Sequence, residues 1–368
     1  MRIALNAWFY GQANTGSGQY TRHLVDALRL ADRSLDIQLV EPGRRNDLAK
    51  VWFEQVAFPR AAERMRADIA FVPYWAPPLQ CRVPLAVTIH DVIPLALPEY
   101  RGGLPQRLYT SLVRAASANV SVILTDSEFS RNDIAKYLHV DIGRIAAIPL
   151  AADTRFTPAQ SDSDLERVYE RYNLPETFVL YLGSFEKRKN IETLLQVYGW
   201  CAPSIGEGIP LLINGDEGTR AFASDGRPMT LGAMIRELEL AGDVRLIGRV
   251  AEADKPALFA AARCFLFASH YEGFGLPVLE AMASGTPVVG SNASSIPEVV
   301  GDAGMLVDPL DARRMAGAVI AVCTDDALYE RLRQRALLRA SQFSWQRTAL
   351  ETLAVFKRLA PASTERTL

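Results

Sequence analysis

Cysteine is scarce in this 368-residue chain. The four (Cys81, Cys201, Cys264, Cys323) are scattered, and no two form a C-x-x-C pair. A reducing compartment without disulfides is expected. Cys264, inside the run Cys264-Phe265-Leu266-Phe267, reads as a buried small hydrophobe. No apolar run approaches the length of a membrane-spanning helix. The opening M-R-I-A-L-N-A reads as a first strand rather than a signal peptide, because polar residues follow at once. These absences place the protein in the cytoplasm, at most peripheral on the inner face of a membrane. Excess charge is missing too. Forty Lys and Arg face 42 Asp and Glu, for a net charge of −2, so there is no general pull toward nucleic acid. Cut near residue 160, the first part carries 18 basic and 15 acidic residues and the second 22 and 27, a mild asymmetry.

What is present is ample apolar material, 49% of residues, in a length that suits two domains. Short apolar strands alternate with helical stretches. Strands are expected at residues 2–6, 36–41, 68–72, 85–90, 121–125 and 145–149, and helices at 20–30, 106–118 and 128–137. A polar stretch, 158–174, reads as a linker with a short lead-in helix. The alternation then restarts: strands at 178–182, 210–214, 243–247 and 265–268, helices at 191–200 and 252–262, a helical run over 311–340, and a last amphipathic helix from Trp345 to Leu359. Such alternation predicts doubly wound parallel sheets.

One stretch, His270 to Val289, concentrates chemical signals: H-Y-E-G-F-G-L-P-V-L-E-A-M-A-S-G-T-P-V-V. Gly273 and Gly275 let the backbone approach a ligand. Pro277 suits the first position of a helix. Backbone donors around Gly275 and Leu276 then form a seat for an anion. Glu272 and Glu280 flank that seat, as a nucleotide sugar would require. The alternative is a solvated loop glutamate and a surface helix glutamate.

Three other places carry chemistry. Gly183-Ser-Phe-Glu-Lys-Arg-Lys-Asn190 puts three cations after a strand end, either a solvated basic turn or a diphosphate clamp. Gly11-Gln-Ala-Asn-Thr-Gly16-Ser-Gly18 follows the first strand, where such sheets hold phosphate; as a dinucleotide fingerprint it is only partial. His90-Asp91 ends a strand, at the edge that faces ligands. His23 and His139 read as structural, and Ser127 as a helix cap.

The run E-G-F-G-L-P-V-L-E-A-M-A-S-G-T-P-V-V resembles the E-x7-E signature of glycosyltransferase family 4, the retaining transferases of GT-B fold. The resemblance extends through S-S-I-P-E (Ser294 to Glu298) and R-K-N to nearly the whole chain, loosest over residues 33–78. It implies two Rossmann-like domains facing a central cleft: residues 1–160, completed by a C-terminal helix at about 345–368, for the acceptor, and 170–344 for the donor. It further implies that Glu272 meets the donor sugar, Glu280 the ribose diol, Arg188 and Lys189 the diphosphate, and His90 the sugar near the reacting centre. Gly16 and Gly18 would approach the diphosphate or shape the acceptor side. Gly273, Phe274, Gly275 and Leu276 would line the donor, and the backbone at Val250 would hold the base. Many members carry an Arg after the first glycine where this chain has Ser184, so one cation or two could reach the phosphates.

Asp162-Ser163-Asp164 is a D-x-D triplet, the metal motif of the other major glycosyltransferase fold. It lacks a preceding apolar strand and reads as a solvated helix cap, so neither metal nor cofactor is expected. The branch resembled extends O-antigen chains with mannose. That implies GDP-mannose as donor and a glycan or lipid-linked glycan as acceptor. The alternatives are a UDP-sugar transferase or epimerase of the same fold, or a non-catalytic nucleotide-sugar-binding subunit. Residues 106–118, with Arg107 and Arg114, read as an ordinary amphipathic helix, with contact at a membrane surface as the alternative.

Overall fold

The computed structural model describes residues 1–12, 15–205 and 208–360. They form two compact units: Met1–Leu150 with the segment from Ser344 onward, and Ala151–Phe343. In the first unit β1 (Arg2–Asn6), β2 (Asp36–Val40), β3 (Ile69–Val72), β4 (Leu85–Thr88), β5 (Val122–Thr125) and β6 (Ile145–Ala147) make one parallel sheet ordered β2-β1-β3-β4-β5-β6. Every residue of β3 and β4 is buried, as expected where helices cover both faces. The winding reverses between β1 and β3, whose register sets Ile3 beside Ile69. The helix Trp345–Leu359 belongs to this unit. It packs on the helix Gly16–Ala31, Thr348 Oγ1 donates to the Pro149 carbonyl at 2.7 Å, and Phe356 meets Phe71 edge to face at 5.1 Å.

The second unit contains β7 (Val179–Tyr181), β8 (Leu211–Ile213), the hairpin β9 (Arg220–Phe222) and β10 (Pro228–Thr230), β11 (Val244–Leu246), β12 (Cys264–Phe267), β13 (Val288–Ser291) and β14 (Met305–Val307). Its parallel sheet runs β11-β8-β7-β12-β13-β14. Counted within that sheet the order is 3-2-1-4-5-6, the doubly wound nucleotide-binding order, with its reversal between β7 and β12. Cys264 is fully buried, and all four cysteines are free thiols. Asp162 and Asp164 occupy the first turn of the helix Asp162–Tyr172, capped by Ser161.

Several expectations are corrected. Residues 151–160 were assigned to the first domain but sit in the second, because Phe156 packs on Phe259 with ring centroids 5.9 Å apart. The helical run over 311–340 is two helices, Ala312–Thr324 and Asp326–Ala340. Asp325 ends the first and caps the second through the Leu328 N–H. The final helix spans Trp345–Leu359 as expected, while residues 361–368, which the expected domain bound took in, lie outside the described residues. The loosely patterned stretch after β2 folds as Asp47–Trp52, a π-helical turn Phe53–Ala57, and Phe58–Arg64. The hairpin β9–β10 and the helix Leu231–Glu237 were not anticipated.

Candidate active site

In the second unit, the chain leaves β7 through Gly183 and reaches Arg188 and Lys189 in a short 3-10 turn. It leaves β12 through Ala268 and reaches Glu272. Both segments emerge from carboxyl strand ends at the winding reversal, where open α/β sheets bind ligands. There the three side chains meet. Arg188 Nη1 donates to Glu272 Oε2 at 2.8 Å, and Lys189 Nζ donates to Glu272 Oε1 at 2.6 Å. Arg188 also reaches Glu186 Oε2 at 2.8 Å and the Tyr271 carbonyl at 3.1 Å. Lys189 and Glu272 are only 6% and 7% exposed. Burial alone would raise the Glu272 carboxyl, but Lys189 and then Arg188 outweigh it and hold it below its ordinary value. Burial, aided by Arg188, pulls the Lys189 ammonium down against the attraction of Glu272.

The frame around this cluster is fixed by polar residues with no reactive role. Asn190 adopts a left-handed conformation, and its Nδ2 donates to the carbonyls of Ala268 at 3.1 Å and Pro309 at 2.9 Å. Ser294 Oγ accepts from the Glu272 N–H at 3.0 Å, and Ser295 Oγ donates to the carbonyls of Glu272 and Phe274. The S-S-I-P-E element therefore pins the Glu272 loop. The sequence offered that signal, but only as a family pattern without a partner.

Packing alone already demands one of the glycines. Gly275 has φ +108°, and a Cβ there would lie 2.6 Å from Ile296 Cδ1. The space it frees is taken by Ile296. Gly275 caps the helix Leu276–Ala283, so Pro277 is the second helical residue rather than the first. Phe274 turns inward, edge to face with Phe343 at 6.0 Å. Gly273 and Leu276 are half-buried.

Glu280 does not join the ion cluster. It lines a cavity of about 330 Å³ with Gly183, Ser184, Asn214, Arg249, Val250, Glu252, Lys255 and Pro277. Val250 thus shares a hollow with Glu280. Asn214 is spent on Gly183, giving to its carbonyl and accepting from its N–H, both at 2.9 Å. Burial pushes the Glu280 carboxyl up to about 8. The neighbouring cations cannot prevent this because each already has an acid of its own: Lys255 pairs with Glu252 at 2.6 Å and Arg155 with Asp153 at 3.2 Å.

The first unit holds the remaining candidates. His90 follows β4, and its Nδ1 lies 2.7 Å from Asp126 Oδ2. Burial works against the imidazolium, but Asp126 and, less strongly, Asp91 raise the His90 pKa above its ordinary value. Tyr20 stands edge to face on the ring at 4.7 Å. Asp126 was not picked out from the sequence. Gly16 and Gly18 lie inside the first turn of the helix Gly16–Ala31 rather than in the loop before it. Gly16 faces open space, whereas a Cβ on Gly18 would sit 2.1 Å from the Gln12 carbonyl oxygen. Close packing is therefore enough to require Gly18. Residues 13 and 14 of that loop are outside the described residues. His23 stacks on Trp345 at 5.0 Å, His139 ends a helix in the left-handed region, and Ser127 caps through the Ser130 N–H.

The family model "Glycosyl transferases group 1" matches residues 162–339, and "Glycosyltransferase Family 4" matches residues 16–156. The chain belongs to glycosyltransferase family 4. It is similar to O-antigen chain mannosyltransferase B of Escherichia coli, 36% identical over 74% of this chain and 70% of that one. It is also similar to the serotype-specific mannosyltransferase WbdA of Escherichia coli, 31% identical over 75% of this chain but only 34% of that longer protein. Among solved structures, sucrose-phosphate synthase from Thermosynechococcus elongatus superimposes with a TM-score of 0.74 at 22% identity over 98% of this chain and 99% of that one. WaaG, a glycosyltransferase involved in lipopolysaccharide biosynthesis, gives 0.72 at 14% identity over 97% and 99%. These two show the GT-B fold. Family 4 membership makes the chain a glycosyltransferase.

Proposed function

We propose that this hexosyltransferase moves mannose from GDP-mannose to a hydroxyl of a glycan or lipid-linked glycan acceptor, with retention at the anomeric carbon and without a metal. The observation that carries this reading is the convergence of Arg188 and Lys189 on one carboxylate at the winding reversal of the second unit. Two cations so placed, once they exchange Glu272 for a departing diphosphate, would stabilise it through charge-assisted hydrogen bonds. Glu272 is assigned to the sugar hydroxyls and Glu280 to the ribose diol. His90 is kept as a candidate for the transfer step. Glu272 is committed to two cations, so it is a poor nucleophile. A front-face route, in which the leaving phosphate takes the acceptor proton, fits better than double displacement. The mannosyltransferase names of the similar Escherichia coli proteins support the choice of sugar.

The test is Lys189→Ala with GDP-mannose. Turnover should fall by roughly two orders of magnitude or more, the loss seen when one charge-stabilising group is removed from an active site. The circular dichroism spectrum should be retained. A near-normal rate would reject the clamp. Labelled GDP-, UDP- and ADP-sugars, each with and without acceptor, separate transferase from epimerase and from a non-catalytic binder.

A further inference from the structure

The hairpin β9–β10 stands where it bears on the cations. It follows β8, the strand beside β7, and so rises from the same carboxyl edge of the sheet as Arg188 and Lys189. Its register pairs Phe222 with Pro228 and Arg220 with Thr230. The Gly226 N–H donates to the Ala223 carbonyl at 2.8 Å and closes the tip. Ala221 and Ala223 are buried, so one side of the ribbon packs on the unit, near the helix Ile191–Ile205.

Three contacts join this ribbon to the turn that carries the cations. Ahead of the turn, Phe185 packs where the hairpin begins: a Cβ on Gly215 would lie 3.1 Å from both Phe185 Cζ and Thr219 Oγ1. Within the turn, Lys187 lies over the tip, its Nζ 3.1 Å from where a Cβ on Gly226 would be. Just after the turn, Glu192 Oε2 accepts from the Ser224 N–H. The three consecutive cations therefore divide. Arg188 and Lys189 reach Glu272, whereas Lys187 reaches the hairpin. The bond from Ser224 to a carboxylate is charge-assisted, and it fixes the first turn of the helix that follows the cations. Asn190 anchors the end of the cation turn to the carbonyls of Ala268 and Pro309. A turn held at several points has little freedom left to lose when a ligand arrives.

We infer that the hairpin β9–β10 is a brace that positions Arg188 and Lys189 for a diphosphate, and that Glu192 is the positioning residue that fastens it. Neither touches the ligand; both act through the turn. The inference rests on the diphosphate reading above and adds the element that sets the reach of the two cations.

The test compares GDP with GMP by isothermal titration calorimetry on the full chain. The two probes differ only in the second phosphate, so the ratio of their affinities isolates the grip of the cations. The parent chain should hold GDP about tenfold or more above GMP. Glu192→Ala should cut that ratio by roughly fivefold and leave the GMP affinity unchanged. Glu192→Gln, whose amide oxygen still accepts from the Ser224 N–H, should restore it, which separates the bond from the charge. The two ends of the hairpin are already adjacent, since the Leu231 N–H donates to the Thr219 carbonyl at 2.8 Å. Residues 220–229 can therefore be replaced by two glycines with the helix-capping Thr230 kept, and that variant should lose most of the ratio. A parent chain that binds GDP and GMP alike overturns the diphosphate reading and the brace with it. A parent chain that separates them, with the full ratio kept in both Glu192→Ala and the shortened variant, overturns the brace alone. So does an equal loss of both nucleotides, which marks a merely structural role.

Discussion

Glu280 offers a quantitative test of the second unit. Its carboxyl is lifted from an ordinary 4.5 to about 8, chiefly by burial. The folded state therefore holds a proton that the unfolded chain releases near pH 4.5. Stability from that proton is full below 4.5, declines as pH rises, and is exhausted above about 8. The displacement caps the cost of ionisation at about 5 kcal/mol. The Glu280 side chain is only half-buried, so solvent screening reduces this, and about half that cap, roughly 2.5 kcal/mol, is a realistic share. Glu280→Gln keeps the shape and removes the titration. Its Tm relative to the parent chain should therefore climb between pH 5 and pH 8.5, by about 5 °C at the usual scaling for a unit of this size. Scanning calorimetry of both proteins across that range supplies the comparison. A Tm difference that stays flat with pH, or shrinks, would mean that water or the Lys255–Glu252 pair already compensates the charge. The burial argument would then fail.

Two further outcomes follow from the geometry. Asp126→Asn should lower the His90 pKa, which Asp126 now raises. The pair stabilises the fold below the ordinary histidine pKa of 6.5, and that contribution fades as pH rises through the higher folded value. Titrating the imidazole Cε1–H by NMR reads this directly, and an unmoved midpoint contradicts the pairing. Gly275→Ala should cost about 2–3 kcal/mol, because it combines a left-handed backbone with a methyl group driven against Ile296. Urea unfolding measures the loss, and a change below about 0.5 kcal/mol would mean that the loop yields freely.

Much of this was legible in the chain. The alternation of strand and helix came from short apolar runs, and β1, β7 and the final helix Trp345–Leu359 fall where the pattern put them, within a residue or two. Arg188, Lys189 and Glu272 could be nominated because three cations after a strand end and an acid before two glycines are unusual. What the pattern lacked was partners. Asp126 is 36 residues from His90, and Ser294 is 22 from the Glu272 N–H that it accepts. Local spacing carries no information at that range. The stretch after β2 was opaque because a π-helical turn breaks the 3.6-residue period on which helix recognition rests. The two-helix break at Asp325 was hidden because the apolar period continues across it, leaving only the capping aspartate as a mark.

Glu272 has a consequence for any anion that reaches Arg188 and Lys189. The two cations are not bare: a carboxylate of the protein already takes the charge-assisted bonds that the proposed diphosphate would need. The incoming anion exchanges with a resident placeholder instead of filling a charged vacancy, so its capture is discounted by the bonds it displaces. The same carboxylate holds the two cations side by side, and under the proposed reading it would be released toward a sugar hydroxyl.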